Sequence, residues 1–277
     1  MSLQYLLTPI SVIYTTLHMY IANGYVGFMQ FMTSLVKFLE MKRKAAVKAE
    51  IEVKTKWSDV LKSIHHDNEG QGEKMLSSGI NYFIPDIQDI FTVSVFSQEE
   101  CTSLINAAES YGFGETEYPK AYRGNLRLIT YDNSLAEVVW SRIQNVVPSV
   151  VTESGRKFKA VGLNSCWRLA KYFPGDQFGA HVDAYYEDHK TGHKSMFTVN
   201  IYMNGGFEGG NTTIFIGDNS KPGKAASNIA SYDVVPEPGL CMIFRQPPAK
   251  SYLHKGQTVI AGEKYLFRSD VMYEPLD

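Results

Sequence analysis

The chain has 277 residues and a formal net charge of −2, so its overall charge gives no case for nucleic acid as its main partner. Hydrophobic residues make up 44% of the chain and aromatic residues 13%, which excludes a collagenous or disordered chain and is enough to bury a substantial core. At roughly 150 residues per domain, the length allows one large domain with an appendage or two small domains.

The first segment, residues 1–36, contains no Asp, Glu, Lys or Arg and is long enough to span a bilayer. Polar residues such as His18, Asn23 and Gln30 interrupt its apolar run, and burying them in the hydrocarbon core of a bilayer would cost free energy. We predict a helix that spans a membrane or lies in its interface. The alternative is a helix that packs on the rest of the chain or on a second copy of it.

The second segment, residues 37–64, is predicted to be a basic amphipathic helix. Between Lys37 and Lys56 it has seven Lys or Arg against three Glu, and basic residues after an apolar segment indicate the cytosolic side of a membrane. We therefore predict a membrane-associated protein whose globular domain lies in the cytosol, with a soluble cytoplasmic or endoplasmic reticulum location as the alternative. Residues 65–79, which include HHDNEGQGE, are the predicted linker, and residues 80–277 are the predicted globular domain. The oligomeric state stays open.

Two helices are predicted at the start of the globular domain. One covers residues 98–111 and opens with a capping box, in which Ser97 stands three residues before Glu100. The other covers residues 134–147, and both show apolar residues at helical spacing. The sequence then predicts strands at residues 91–96, 197–203, 212–216, 239–244, 257–260 and 264–273. Short strands with Gly-rich turns and two helices predict a mainly β fold with flanking helices, either a sandwich or a barrel.

The motif KYFPGDQFGAHVD, residues 171–183, places His181 two residues before Asp183. Side chains at positions i and i+2 of an extended strand point the same way, so the imidazole and the carboxylate are predicted to converge inside a barrel. His254 lies between two predicted strands and is the third candidate ligand. Two imidazoles and one carboxylate form the facial triad that holds non-haem Fe(II) and leaves positions open. The same side chains can hold zinc, so a zinc hydrolase is a rival hypothesis.

Two cations follow His254 in the run KYLFRSDVMY. Strand alternation puts Lys264, Leu266 and Arg268 on one face. Burying a cationic side chain inside an apolar barrel costs free energy unless it pairs with an anion. A dicarboxylate that chelates a metal with one end and pairs with Lys264 at the other end would supply that anion. The alternative is a surface strand with two solvated cations.

Five motifs in order resemble the prolyl 4-hydroxylase-like branch of the 2-oxoglutarate- and Fe(II)-dependent dioxygenases. The motifs are FSQEEC at 96–101, YFPGDQFGAHVD at 172–183, YMNGGFEGGNTTIF at 202–215, PGLCMIF at 238–244 and HKGQTVIAGEKYLFRSDVMY at 254–273. This resemblance implies a double-stranded β-helix (jelly-roll) core, and so a dioxygenase domain over residues 80–277 preceded by the N-terminal helical segment. One departure is that the family often has an Arg shortly before its Tyr-Leu-Asn motif, whereas residues 195–198 here read SMFT.

The resemblance also implies roles for particular residues. It implies that the iron ligands are His181, Asp183 and His254. It implies that Lys264 binds the distal carboxylate of 2-oxoglutarate, with Arg268 as the competing partner. Tyr172 matches a position that commonly hydrogen-bonds the cosubstrate, and Thr212 matches one that lies near it.

The implied reaction is hydroxylation of an unactivated C–H bond, with a peptidyl proline or related residue of a protein or peptide as the leading substrate. It uses Fe(II), 2-oxoglutarate and O2, releases succinate and CO2, and is expected to involve ascorbate. A non-catalytic jelly-roll module that binds sugar or protein is the alternative to an enzyme. Arg123 and Arg127, in YRGNLR, are expected at the surface, with a place on a substrate loop as the alternative.

Overall fold

The structure is a computed structural model that describes residues 57, 59–62, 79–217 and 229–276. These residues all fall within one compact unit, residues 49–277. The predicted segment 1–36 lies outside the described residues, as do most of 37–64 and of 65–79, so these boundaries stay predictions.

The described residues after 79 form two α-helices and fourteen strands, and residues 57 and 59–62 are also helical. In chain order the elements are β1 (Ile90–Ser94), α1 (Gln98–Tyr111), β2 (Leu126–Tyr131), α2 (Asn133–Ile143), β3 (Val150–Glu153), β4 (Arg156–Leu163), β5 (Cys166–Tyr172), β6 (Phe178–His181), β7 (Lys194–Tyr202), β8 (Glu208–Gly209), β9 (Thr212–Ile216), β10 (Ala230–Val234), β11 (Leu240–Arg245), β12 (Leu253–Gly256), β13 (Val259–Ala261) and β14 (Lys264–Leu276).

The strands form two curled antiparallel sheets and a small ribbon. The large sheet has the order β1-β11-β7-β14-β4-β3, and β5 pairs with β14 on one side and β2 on the other. The second sheet has the order β10-β9-β12-β6, and β8 pairs with β13. This arrangement confirms the predicted fold class, which is mainly β with flanking helices and a jelly-roll core.

Alternate residues of the large sheet face two different layers, as the pleat of a strand requires. In β14, Tyr265 and Phe267 belong to the main hydrophobic core, which also contains buried side chains of α1 and α2. Lys264 and Arg268 point to the other face and line a cavity. Buried side chains from both sheets, such as Ile214, pack in a second cluster on that face. The helices therefore cover one face of the large sheet, while its functional residues lie on the other.

The predicted helix over residues 98–111 is confirmed as α1, and its capping box is present. Ser97 Oγ accepts a hydrogen bond from the Glu100 amide at 3.2 Å, and the Glu100 carboxylate accepts one from the Ser97 amide at 2.8 Å. Helix α2 ends at Ile143 rather than at the predicted Val147. The residue before a proline is disfavoured in the helical conformation, and Pro148 follows Val147 directly.

The short helical stretch before the linker packs into the main core. Trp57 and Leu61 are 1% and 2% exposed, and the Trp57 ring lies 5.8 Å from that of Tyr111 and 6.0 Å from that of Phe267. The Trp57 amide also donates a hydrogen bond to Oδ2 of Asp132 at 2.7 Å, the residue that caps α2. These residues are therefore part of the packed domain.

The predicted strand over residues 257–260 is partly wrong. The structure has β12 over Leu253–Gly256 and β13 over Val259–Ala261. His254 therefore lies inside a strand instead of beyond its end. Strand β12 is paired on both sides, by β9 and by β6, which satisfies its backbone groups and fixes the position of His254.

The predicted membrane-associated localisation is wrong for the part of the chain that the structure describes. None of its helices has the length and apolar character needed to cross a bilayer. Helix α1 has 14 residues and reaches about 21 Å at 1.5 Å per residue, against a hydrocarbon core of about 30 Å. Residues 1–36, on which the prediction rested, lie outside the described residues.

Candidate metal centre

Two histidines lie opposite each other on neighbouring strands. His181 is the last residue of β6, and His254 faces it in the antiparallel register of β12, with the ring centroids 4.2 Å apart. Phe178 stacks on the His181 ring at 3.7 Å, and Phe244 meets the His254 ring edge-on at 4.9 Å. These contacts restrict the orientation of both imidazoles.

Hydrogen bonds to the backbone decide which nitrogen of each imidazole is free. Nδ1 of His181 lies 2.8 Å from the Gly179 carbonyl oxygen, and Nδ1 of His254 lies 3.0 Å from that of Tyr252. Because a carbonyl oxygen only accepts hydrogen bonds, we assign the proton to Nδ1 and the lone pair to Nε2 in both rings. Burial lowers the pKa of His254 to about 4, so this imidazole is neutral near pH 7. Metal-binding histidines are held in this way.

Asp183 completes the cluster from outside the strand. Strand β6 ends at His181, so the prediction that the two side chains share an extended strand is wrong. The two side chains nevertheless converge, with Oδ1 of Asp183 3.6 Å from His181 Nε2 and Oδ2 3.8 Å from His254 Nε2. The ligand atoms of the three residues all lie within 4.8 Å of one another. Two imidazole nitrogens and one carboxylate are a donor set that fits non-haem Fe(II).

The Asp183 carboxylate is buried and held by two donors. Thr198 Oγ1 donates a hydrogen bond to Oδ2 at 2.8 Å, and the Arg268 guanidinium lies 3.2 Å from the same oxygen. Burial alone would raise the pKa of Asp183, but the charge of Arg268 and the contacts with His181 and His254 together outweigh it and hold that pKa well below its usual range. The carboxylate is therefore ionised, as a metal ligand must be.

A buried polar network extends behind Asp183. Gln246 Nε2 donates hydrogen bonds to Thr198 Oγ1 at 2.9 Å and to Asp270 Oδ1 at 2.8 Å. Asp270 also pairs with Arg268 at 3.3 Å and with Arg168 at 3.3 Å. Such networks hold their members in a single arrangement when every group has a partner. Thr198, Gln246 and Asp270 were not among the predicted site residues.

The three candidate ligands open onto a cavity of about 270 Å³. Lys264 and Arg268 lie on the same wall of this cavity, about 13 Å apart along β14 at 3.3 Å per residue. Tyr172, the register partner of Lys264 on β5, and Thr212 on β9 also line the cavity, and both are buried. The structure therefore brings all seven predicted site residues to one cavity.

Lys264 is a buried cation that has no counter-charge in the part of the chain that the structure describes. Its side chain is 3% exposed, its Nζ donates a hydrogen bond to the Gly210 carbonyl at 2.6 Å, and the rings of Tyr172 and Tyr202 lie 5.4 Å and 5.6 Å away. Within the described ranges, no carboxylate lies at ion-pair distance from it. Burial lowers the pKa of Lys264 to about 7. An anionic group in the cavity would offset the free-energy cost of burying the Lys264 charge.

Other polar atoms of the cavity wall also lack partners. Asn200 Oδ1 and Arg268 Nε are buried and make no hydrogen bond to the described part of the chain. Arg123 and Arg127, which were expected at the surface, are half-buried, and both line the cavity. Strand alternation along β7 could have pointed to Asn200. No comparable signal was present for Arg123, which reaches the cavity through an isolated bridge to Phe178.

Residues 167–269 match the sequence profile of the 2OG-Fe(II) oxygenase superfamily. A search of curated protein sequences finds no significant match.

Similar solved structures include the viral collagen prolyl hydroxylase from Paramecium bursaria Chlorella virus-1 in complex with 2OG, at 19% identity and a TM-score of 0.44, covering 66% of this chain and 96% of that one. A Pseudomonas putida prolyl-4-hydroxylase is 13% identical with a TM-score of 0.45, covering 66% of this chain and 92% of its own. A Trichoplax adhaerens prolyl hydroxylase, solved with a peptide fragment of the hypoxia inducible factor oxygen degradation domain, is 14% identical with a TM-score of 0.47, covering 66% and 83%.

The profile match spans the three candidate ligands and Lys264. Similarity to this family implies Fe(II), 2-oxoglutarate and O2 as cofactor and cosubstrates. Residues 167–269 therefore match the 2OG-Fe(II) oxygenase superfamily that the motifs indicated, and this match supports a dioxygenase enzyme.

Proposed function

We propose that this oxygenase hydroxylates an unactivated C–H bond of a peptidyl proline or a related residue, and that it releases succinate and CO2. The observation that carries the dioxygenase chemistry is one cavity that holds both the His181, Asp183 and His254 cluster and the buried ammonium of Lys264, which has no carboxylate partner among the described residues. The choice of proline rests on the sequence motifs. A zinc hydrolase would use the cluster but would leave the buried charge of Lys264 unexplained.

In this proposal the three clustered side chains would hold Fe(II), through Nε2 of each histidine and through the Asp183 carboxylate. The bound metal, together with 2-oxoglutarate, supplies the activation of O2 that no amino-acid side chain provides. The backbone carbonyls at Gly179 and Tyr252 keep the Nδ1 protons in place, so that both Nε2 lone pairs stay available. The two rings that flank the histidines keep them from rotating away.

Lys264 would bind the distal carboxylate of 2-oxoglutarate. Its ammonium is desolvated, and a charge-assisted hydrogen bond to a carboxylate is correspondingly strong. Tyr172 and Thr212 are further donors on the same wall. Arg268 is already engaged by Asp183 and Asp270, so we assign it to the support of the metal ligand and not to the cosubstrate.

Turnover with defined components tests this function. The full chain is incubated with Fe(II), 2-oxoglutarate, O2 and ascorbate as reductant, alone and with proline-containing peptides. We expect succinate to form only when both Fe(II) and 2-oxoglutarate are present, and a peptide to gain the mass of one oxygen.

A His181→Ala variant should retain its circular dichroism spectrum and lose succinate formation. Hydrolytic activity with Zn(II) in the absence of 2-oxoglutarate would contradict the proposal. If neither the full chain nor the variant forms succinate, and both bind a sugar or protein ligand equally well, the chain is a non-catalytic module.

A further inference from the structure

One wall of the cavity carries cations that the proposed chemistry does not use. Arg123 and Arg127 both line it. Across the part of the chain that the structure describes, neither guanidinium forms an ion pair with a carboxylate. Arg168 completes the group, although it also contacts Asp270. Burial is the main cause that lowers the pKa of Arg127, and the nearby charges of Arg123 and Arg168 lower it further, while Tyr118 and Glu117 offset them only in part.

Arg123 is held in place close to the candidate metal centre. Its Nε donates a hydrogen bond to Asn125 Oδ1 at 3.1 Å, and its guanidinium carbon lies 4.3 Å from the centre of the Phe178 ring. The same phenyl ring stacks on His181 at 3.7 Å. Arg123 is therefore separated from a candidate ligand by a single aromatic ring. Because these contacts already fix its side chain, little further conformational entropy would be lost when it binds a ligand.

Arg127 reaches the same cavity from the edge of the large sheet. Strand β2 pairs with β5 alone among the named strands, and Arg127 lies in register with Ala170, which in turn is in register with Leu266 on β14. All three residues line the cavity. The small side chain of Ala170 leaves space on the cavity wall between Arg127 and Leu266.

The charge balance indicates what this wall would bind. Five cationic side chains line the cavity, which are Arg123, Arg127, Arg168, Lys264 and Arg268. Against these five positive charges stand three carboxylates, which are Asp183 in the wall, Asp270 behind it and Glu117, whose charge acts on Arg127. A dication and a dianion cancel, so these groups would keep a net charge of +2 with Fe(II) and 2-oxoglutarate bound. A cleft of one sign attracts ligands of the opposite sign.

Exposed aromatic side chains at the mouth of the cavity indicate a ligand larger than a free acid. Tyr118 and Tyr122 line the cavity and are 49% and 39% exposed. Their rings lie 6.2 Å apart, and Tyr122 meets the Phe178 ring edge-on at 5.8 Å. Partly exposed tyrosines next to arginines are typical of surfaces that bind a peptide chain.

We propose that Arg123 and Arg127 form a carboxylate-binding subsite, and that the substrate is a peptide with an Asp or Glu side chain adjacent to the hydroxylated residue. The proposal rests on the proposed function, because it places this subsite next to the reacting group. The forked guanidinium groups suit a carboxylate, which they can bind through two hydrogen bonds.

Two blocked peptides test the subsite. They share one proline and differ only in having glutamate or glutamine on both sides of it. Binding to the full chain loaded with Mn(II) and 2-oxoglutarate is measured by fluorescence anisotropy, so that no turnover is needed. We expect the glutamate peptide to bind at least tenfold more tightly, and Arg127→Gln or Arg123→Gln to remove most of this preference. Arg156→Gln makes the same charge change at an exposed position outside the cavity and should leave the preference intact.

Three results would contradict the proposal of a carboxylate-binding subsite. They are equal affinity for the two peptides, a preference for the glutamate peptide that persists in both cavity variants, and binding of neither peptide. Hydroxylation of free proline in place of both peptides would overturn it as well. If the chain forms succinate from 2-oxoglutarate but shows no preference between the peptides, only the subsite proposal is contradicted and the proposed function stands. If it forms no succinate with any partner and does not bind 2-oxoglutarate, the proposed function fails.

Discussion

Arg268 and Asp183 form an ion pair in which Nη2 lies 3.2 Å from Oδ2. Thr198 Oγ1 donates to the same oxygen at 2.8 Å, so Oδ2 has two donors and Oδ1 is left facing His181 Nε2. The pair explains how a candidate ligand outside the strands is held in place.

The hydrogen bond from Thr198 should matter for metal affinity. Thr198→Val keeps the shape of the side chain, removes the donor and also leaves Gln246 Nε2 with one partner fewer. Loss of a hydrogen bond to a metal ligand typically weakens binding by about 10–100-fold. We expect Mn(II) affinity, measured by electron paramagnetic resonance titration, to fall within that range.

Thr130→Val is the matched control for this experiment. Thr130 is also a buried threonine of the large sheet, but it does not line the cavity. If Mn(II) binds the two variants equally well, then Thr198 has no part in holding Asp183.

Local sequence signals predicted the parts of the site that depend on strand periodicity. The alternation in β14 correctly put Lys264, Leu266 and Arg268 on one cavity face. It could not show that Arg268 is engaged by Asp183 and Asp270, because that depends on where β6 ends. The capping box at Ser97 was equally local and is present in the structure.

Residues that reach the site through long-range packing left no comparable signal. Gln246 follows β11 and joins Thr198 across 48 positions of sequence. Arg123 is placed by backbone hydrogen bonds from Gly124 to Gln177 and from Gly179 to Tyr122. A pattern in one segment cannot reveal which distant segment it contacts, so these residues needed the fold.

Lys264→Met should weaken 2-oxoglutarate binding strongly. Loss of one partner from a buried, hydrogen-bonded charge pair costs about 2–5 kcal/mol, so we expect the affinity to fall about thirtyfold or more. Calorimetric titration of the Mn(II)-loaded chain with 2-oxoglutarate measures this change. Lys157→Met, at an exposed position on β4, should bind the cosubstrate normally. If Lys264→Met binds 2-oxoglutarate normally and Arg268→Met does not, then Arg268 is the carboxylate partner.

The stability of the unliganded protein should depend on pH through the same lysine. Burial lowers the pKa of Lys264 to about 7 from 10.5. Below pH 7 the group is protonated in the folded and the unfolded state, so the full cost of burying its charge is present. Between pH 7 and pH 10 the unfolded chain binds more protons, so stability rises with pH, by up to about 1.4 kcal/mol per pH unit.

Urea unfolding of the ligand-free chain at several pH values between 6 and 10 measures this effect, with Lys264→Met as the comparison. We expect the variant to be the more stable protein at pH 6 and to show a smaller rise with pH. Equal slopes for the two proteins would show that the Lys264 ammonium is not desolvated in solution.

Trp57 should stabilise the domain although it precedes the predicted linker. Its ring is 1% exposed and packs on Tyr111 and Phe267 of the main core. Replacing a buried tryptophan with alanine costs about 3–5 kcal/mol, because both transfer free energy and packing are lost. We expect Trp57→Ala to lower the free energy of unfolding by this amount in urea, while Lys62→Ala, at a largely exposed position of the same helical stretch, changes it little.

A chain that starts at Gly79 should lose at least as much stability as Trp57→Ala. If both the variant and the shortened chain unfold like the full chain, residues 57–62 do not belong to the folded unit in solution.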